Sequence, residues 1–176
     1  MMRLGKYVVL AGVFLMIFIG KTERAVAQDV DYKTYTLFLY NFMKYVEWPT
    51  TEGDFVIGVV GECPVKKELE QLAKNKKAKG RQIVVVNIAN AGDALLCNMV
   101  YIPSSKSAEL RPIYEKVKGR SVLIVAEREG LAKKGAGISF AIDDDDALKF
   151  DINKSTLDSQ NLKIANMLMQ LGILVG

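Results

Sequence analysis

Two thiols, Cys63 and Cys97, are the strongest nucleophiles in the 176-residue chain, and the sequence contains no histidine to activate either of them. Ser-His-Asp catalysis, Cys-His catalysis and imidazole-bound metals are therefore excluded for this chain. Cys63 precedes a helical stretch in "GECPVKKEL", where a helix dipole would favour the thiolate. It has no C-x-x-C partner and no base nearby in sequence, so a thiol enzyme is a poor reading. The acidic run Asp143–Asp146 lacks the alternating ligands, central Gly and terminal Glu of a calcium loop and reads as a solvated turn. The basic run "KNKKAKGR" (Lys74–Arg81) has no interleaved aromatics and reads as a solvated loop, with Arg81 alone placed to pair inward. Neither G-x-G-x-x-G nor a Walker lysine pattern is present. No catalytic residue, metal site or cofactor is assigned, and the chain reads as a non-enzyme.

The elements that would position any other site are legible from periodicity. "VDYKTYTLFLYNFMKYVEW" places Tyr35, Phe38, Phe42 and Tyr45 at helical spacing, with Leu39, Met43 and Val46 adjoining. Lys33, Thr36, Asn41, Lys44 and Glu47 are left for solvent, and Pro49 is expected to stop the helix. The aromatic stripe reads as core, with Trp48 as a terminal plug, rather than as a ligand box. Next come "DFVIGVVG", a helix with Pro64 at its first position, "RQIVVVNI", a short turn near Asp93–Leu96, and "CNMVYIP". A helix interrupted at Pro112 and a fourth strand "RSVLIVAE" follow. Unbroken β-branched runs alternating with amphipathic helices predict a mostly parallel sheet buried on both faces. "GAGISFAI" and "ALKFDIN", joined by the acidic run, predict a hairpin closing one edge. The end is expected to be helical with a break near Gln160–Asn161. The fold class is thus α/β: a single three-layer α/β/α sandwich, its mostly parallel sheet carrying a C-terminal-side β-hairpin, preceded by a helix.

The N-terminus reads as an export signal. Arg3 and Lys6 precede the apolar run Tyr7–Gly20, and Ala25-Val26-Ala27 forms a small-residue cleavage site. The apolar run is shorter than the about 20 residues a span needs. Residues 1–27 are therefore read as a signal peptide and 28–176 as one domain, with the product in the periplasm. The formal charge of +4 and pI of about 9.0 suggest a basic protein. Four basic residues (Arg3, Lys6, Lys21, Arg24) and one acid (Glu23) lie in the leader, so 20 basic and 19 acidic residues remain, a net charge of +1. A nucleic-acid partner loses its electrostatic basis.

An even cysteine count in an exported chain suggests a disulfide. Cys63, however, follows the carboxyl end of the first strand, and Cys97 precedes the third. Parallel strands of this length would separate them by roughly 15–20 Å, beyond the about 7 Å between Cα atoms that a bridge tolerates. No disulfide is expected.

The successive segments "LYNFMKYVEWP", "GRQIVVVNI", "CNMVYIP", "GRSVLIVAE", "GLAKKGAGISFAI" and "LKFDINKSTLDSQNLKIANMLMQL" resemble the YfiR-like periplasmic proteins over nearly all of residues 28–176. The most specific parts are Tyr40–Pro49 and Phe150–Asn153. The resemblance implies a small α/β sandwich with no catalytic motif; the family's namesake restrains a membrane-bound diguanylate cyclase by binding its periplasmic part. It also implies that some relatives bridge a cysteine in the first strand to one before the third. Here Gly58 stands at that first position, and Cys97 lacks the partner.

Two functions follow. The first is a periplasmic regulator binding the periplasmic region of a membrane signalling protein, a diguanylate cyclase or a sensor kinase, through the apolar C-terminal segment. In that segment Leu168, Leu171 and Leu174 are expected to be buried, and Met169 and Ile173 to contact the partner. The alternative is a small-ligand receptor using the strand-end loops at Glu62, Cys63, Pro64, Ser104, Ser105 and Lys106. Self-association into a homodimer is left open by the sequence.

Overall fold

The computed structural model describes residues 31–143 and 145–176, so the leader lies outside the described residues. Asp31 caps the first helix, its carboxylate accepting the Lys33 N–H at 3.1 Å. Helix α1 (Tyr32–Tyr45) presents Leu39, Phe42 and Met43 to the interior with no exposed surface. The Phe42 ring lies 5.1 Å from that of Phe150 and 6.0 Å from that of Phe140, with Phe38 and Tyr35 flanking the same pair. The stripe is core.

Two details differ from the sequence expectation. The helix ends at Tyr45, before Pro49 can act, because Val46–Glu47 (β1) pairs antiparallel with Lys163–Ile164 (β9) and the inter-strand bonds outcompete another helical turn. Thr36 is buried and its hydroxyl has no partner, while Leu37 takes the solvent position at 60% exposure. Trp48 is buried as expected, stacked edge-on against Phe55 at 4.9 Å.

The central sheet contains β2 (Phe55–Val60), β4 (Arg81–Ile88), β5 (Met99–Ile102), β6 (Leu123–Ala126), β7 (Ile138–Ile142) and β8 (Leu148–Ile152). Two-residue strands, β3 (Lys77–Ala78) and β10 (Ile173–Leu174), complete it. The spatial order is β10-β8-β7-β6-β5-β2-β4-β3. Strands β4, β2, β5, β6 and β7 are mutually parallel; β8 is antiparallel to β7, and β3 to β4. Helix α2 (Val65–Asn75) joins α1 on one face. The 3₁₀ turn Ala91–Leu96 and helix α3 (Leu110–Val117) cover the other. Two apolar clusters, one per face, make the three layers.

The hairpin forms with Ile138 opposite Ile152 and Ile142 opposite Leu148. In its acidic turn, Asp143 accepts the Asp145 and Ala147 N–H groups at 3.0 and 2.8 Å. The hairpin does not close the sheet, since β10 pairs in parallel outside β8. Pro112 does not interrupt α3: it stands in the first turn, where no backbone donor is needed. Its approach, Ser104–Glu109, is 3₁₀. Pro64 immediately precedes α2 in helical conformation rather than opening it. β4 is not buried on both sides: Val84, Val85 and Val86 are half-buried and Asn87 exposed.

The C-terminal segment breaks into α4 (Lys154–Ser159), β9, α5 (Asn166–Leu171) and β10. Of its predicted buried stripe only Leu168 is internal; Leu171 and Leu174 are 65% and 58% exposed. A helix of six residues followed by a sheet-pairing strand cannot extend one stripe over three turns.

Replacing Phe42 by Ala should cost about 3–5 kcal/mol, because the ring is fully enclosed and contacts two aromatic partners. Urea denaturation of the two proteins measures this, and equal midpoints would contradict the packing.

Candidate functional site

In an open parallel sheet, ligands settle outside the carboxyl ends of strands where successive crossovers leave on opposite faces. Here the connection from β2 to β4 crosses the α1/α2 face, whereas those from β4 to β5 and β5 to β6 use the α3 face. The carboxyl ends of β2 and β5 flank that reversal, and the predicted strand-end residues lie there. The structure divides them between the faces. Cys63 is half-buried against the α1 side, whereas Lys106 lies on the α3 side. The exposed Glu62 accepts a hydrogen bond from the Asn87 amide at 2.8 Å. Lys106, with Gly61, Asn90, Glu109 and Ile113, lines a small cleft of about 170 Å³ that Glu62, Cys63, Pro64, Ser104 and Ser105 do not enter. Gly61 adopts φ +67, and a Cβ there would meet Lys106 Cε at 2.9 Å, so the lysine stem lies across the glycine.

A polar cluster not anticipated from the sequence lies at the same end. The buried Tyr101 hydroxyl donates to Glu127 Oε2 at 2.8 Å, and the Ser104 N–H reaches that oxygen at 3.2 Å. Burial, and then the Glu127 carboxylate, push Tyr101 far above the usual tyrosine range, and Tyr32 and Tyr35 are raised by the same two causes. Burial also raises the Cys63 thiol, against a lowering contribution from the Val65 N–H. This removes the dipole-activated thiolate considered from sequence: desolvation outweighs the helix N-terminus. Tyr32, Cys63, Tyr101 and Glu127 are far apart in sequence, and only the tertiary fold unites them.

A larger open cleft of about 590 Å³ adjoins α3. Arg111, Arg128 and Lys134 line it with Glu115, Tyr114 and Leu131, and none of the three cations has a salt-bridge partner among the described residues. No three His, Cys, Asp or Glu side chains are arranged to hold a metal among the described residues.

Both cysteines are free thiols. Cys63 packs in the α1-side cluster and Cys97 in the α3-side cluster, so the sheet stands between them. A Cβ built on Gly58 would lie 2.8 Å from Cys97 Sγ and 2.5 Å from Ile88 Cδ1. Position 58 is therefore the neighbour of Cys97, where the family resemblance puts the bridging residue of some relatives.

The specific sequence signatures have structural roles. Phe150 and Ile152 are core, and the nearly buried Asp151 approaches the Ser139 hydroxyl at 3.5 Å. Asn153 caps α4, accepting the Thr156 N–H at 2.9 Å while its amide donates to Ala132 O at 2.8 Å.

The second predicted surface is apolar. Met169 is partly buried and Ile173 is 52% exposed, beside Met167, Leu171 and Leu174. Four of the eight large apolar side chains exposed among the described residues fall within residues 167–174, and α5 lies against α1, which carries a fifth, Leu37. Such concentration marks an interaction surface more than scattered exposure does.

The YfiR/HmsC-like family profile matches residues 32–173. The chain belongs to that family. The YfiR/HmsC-like proteins are periplasmic regulators that act with membrane partners rather than catalysts. No helix among the described residues is long and apolar enough to cross a membrane. No curated protein matches the chain. Among solved structures, it is similar to the ABC domain in complex with L-Trp from Streptococcus pneumonia, at 12% identity and a TM-score of 0.49. That match covers 69% of this chain and 55% of the other, so this chain spans about half of that protein's length.

Denatured protein should release two free thiols, while the native protein should react slowly with Ellman's reagent at neutral pH. Cys97 is raised from 9.0 to about 11 by burial, then by Asp93. A raised acid gives stability that is intact below the unfolded value and lost as pH climbs through the folded one. Urea midpoints should therefore fall between pH 9 and 11, less steeply in Cys97→Ala; an unchanged slope would deny the buried thiol its role.

Proposed function

We propose that this YfiR/HmsC-like protein is a non-enzymatic periplasmic regulator that binds the periplasmic region of a membrane signalling protein, a diguanylate cyclase or a sensor kinase. The observation that carries the reading is the exposed apolar surface at residues 167–174. Family membership supports the class of function, and the inert surroundings of Cys63 support a role without chemistry. Met169 and Ile173 are the proposed contacts within that surface. Because the contact is apolar and residues 28–176 are nearly neutral, its affinity should depend weakly on salt.

The test is binding to the periplasmic region of a membrane signalling protein encoded beside this gene. Folded Met169→Asp and Ile173→Asp variants should each bind at least about tenfold more weakly, as expected for charge placed in an apolar contact. Unchanged affinity in both variants would remove this surface from the account, and a steep salt dependence would point to Lys74–Arg81.

The cleft bearing Arg111, Arg128 and Lys134 favours a second reading, a receptor for a small anionic ligand. Its cations should then be required: Arg111→Ala and Arg128→Ala would abolish any thermal shift produced by small carboxylates or phosphates while leaving partner binding intact.

For residues 1–27 the proposal is a cleaved export signal. Mass spectrometry of the periplasmic fraction should find Gln28 as the first residue, and a membrane-bound full-length species would overturn it.

A further inference from the structure

The basic run Lys74–Arg81 is not a loop. It is the end of α2, strand β3 and the two-residue turn Lys79-Gly80 that leads into β4. Ala78 is fully buried in the α1-side cluster, and the Tyr40 hydroxyl donates to Lys77 O at 3.4 Å. The backbone is thus held while Lys74, Lys76, Lys77 and Lys79 stand in solvent. A Cβ built on Gly80 would meet nothing within 4 Å, so the turn projects from the body. Lys44 on α1 lies alongside, its ammonium 5.8 Å from the centre of the Tyr40 ring. Lys79 adopts φ +50 beside Gly80 at +85. Two positive φ values make a favoured hairpin turn whose first position ordinarily holds Asn, Asp or Gly. A lysine there costs backbone energy and keeps a charge at the tip.

Overall near-neutrality hides this pole. Residues 66–81 carry seven basic and two acidic side chains, a net charge of +5, so the rest of residues 28–176 carry −4. The salt bridges among the described residues involve Lys149 and Lys154, and none involves the lysines of the turn. Glu52 and Asp54 on the loop bonded by Arg81, and Glu70 on α2, do not pair with them. The acidic turn with Asp143, Asp145 and Asp146 joins β7 to β8, five strand spacings from β3, or roughly 24 Å. The Debye length at physiological salt is about 8 Å. A surface touching the basic turn therefore feels that pole and not the acidic one.

We propose that this pole docks the protein on the surface of an anionic phospholipid bilayer. Three observations select a bilayer over a shaped ligand or an acidic protein. First, the hollow at the turn, between Trp48, Phe55 and Lys79, holds about 20 Å³, room for about one water molecule and no larger group. Second, the free cations are lysines. The single arginine of the run uses its guanidinium within the fold, on Gly53 O, Asp54 O and Asn98 Oδ1. What is left are point charges, which suit a diffuse field of phosphates and not the forked recognition of one carboxylate. Third, members of the family are periplasmic and act with membrane partners, so a bilayer is the extended anionic surface they meet. Weak attraction to it would concentrate a regulator where its partner sits. At roughly fivefold in affinity per lysine near an anionic surface, the four lysines give half-binding at about 1 mM accessible lipid.

The docking surface is separate from residues 167–174, so Met169→Asp and Ile173→Asp should leave it unchanged. The test is sedimentation of protein, purified after expression of the full-length gene, with vesicles of phosphatidylcholine containing about one-third phosphatidylglycerol, against phosphatidylcholine alone. Protein should sediment with the anionic vesicles only. Salt at about 0.5 M, where the Debye length is about 4 Å, should release it. Lys76→Glu/Lys77→Glu should abolish the binding, while Lys116→Glu/Lys118→Glu on the α3 side should not change it. Lys79→Asn separates charge from fold. Asn suits the turn, so the urea midpoint should not fall, while vesicle binding weakens about fivefold. Binding to neutral vesicles, persistence in high salt, full binding by Lys76→Glu/Lys77→Glu, or equal loss in the α3-side pair would overturn the proposal. So would failure of wild type to bind the anionic vesicles; if the same lysines then prove necessary for binding the partner's periplasmic region, the pole faces an acidic protein.

Discussion

The junction between Arg81 and Asn98 holds the amino end of the sheet together. The Arg81 guanidinium donates to Gly53 O at 2.9 Å, to Asp54 O and to Asn98 Oδ1 at 3.1 Å, and lies over the Phe55 ring. Asn98 Oδ1 also accepts the Val56 N–H at 2.9 Å, and its backbone oxygen accepts the Trp48 indole N–H at 3.0 Å. One arginine and one asparagine thus set the starting register of β4, β2 and β5 and fasten the segment leaving α1. The bonds are charge-assisted and multiply shared, so loss of either residue would leave several oriented backbone groups without partners. A lysine could not reproduce the planar fork that reaches three acceptors at once.

With that end fixed, the sheet keeps chemistry out of its interior. The carboxyl end, where related topologies bind ligands, is closed on one face by Tyr32, Tyr101 and Cys63 around Glu127, all three raised in pKa by burial. Desolvation favours neutral phenols and a neutral thiol, the opposite of what nucleophilic catalysis needs. The proposed contact function rests on surface features: an apolar segment at residues 167–174 and, for the second reading, a basic cleft beside α3.

Position 58 shows how closely the α3 face of the sheet is packed. Glycine there leaves room for the Ile88 side chain beside Cys97. Any side chain larger than hydrogen would have to displace Ile88.

The strand and helix order, the three-layer class, the hairpin and the core role of the aromatic stripe were legible in the sequence, because periodicity and β-branched runs report burial directly. The lack of histidine settled, without any structure, which catalytic chemistries the chain could not perform. Opposite placement of Cys63 and Cys97 also followed from strand direction alone. Pairing decided the rest. Val46–Glu47 left the first helix because Lys163–Ile164, more than a hundred residues away, offered a strand partner. Leu171 and Leu174 became surface because β10 reached β8 and ended the helix early. Whether Arg81 was a loop charge or an anchor depended on Asn98 arriving from another strand. "RQIVVVNI" reads alike in the middle of a sheet and at its rim, since hydrophobic pattern records how apolar a strand is but not whether both of its edges find neighbours; that depends on contacts between segments distant in the chain.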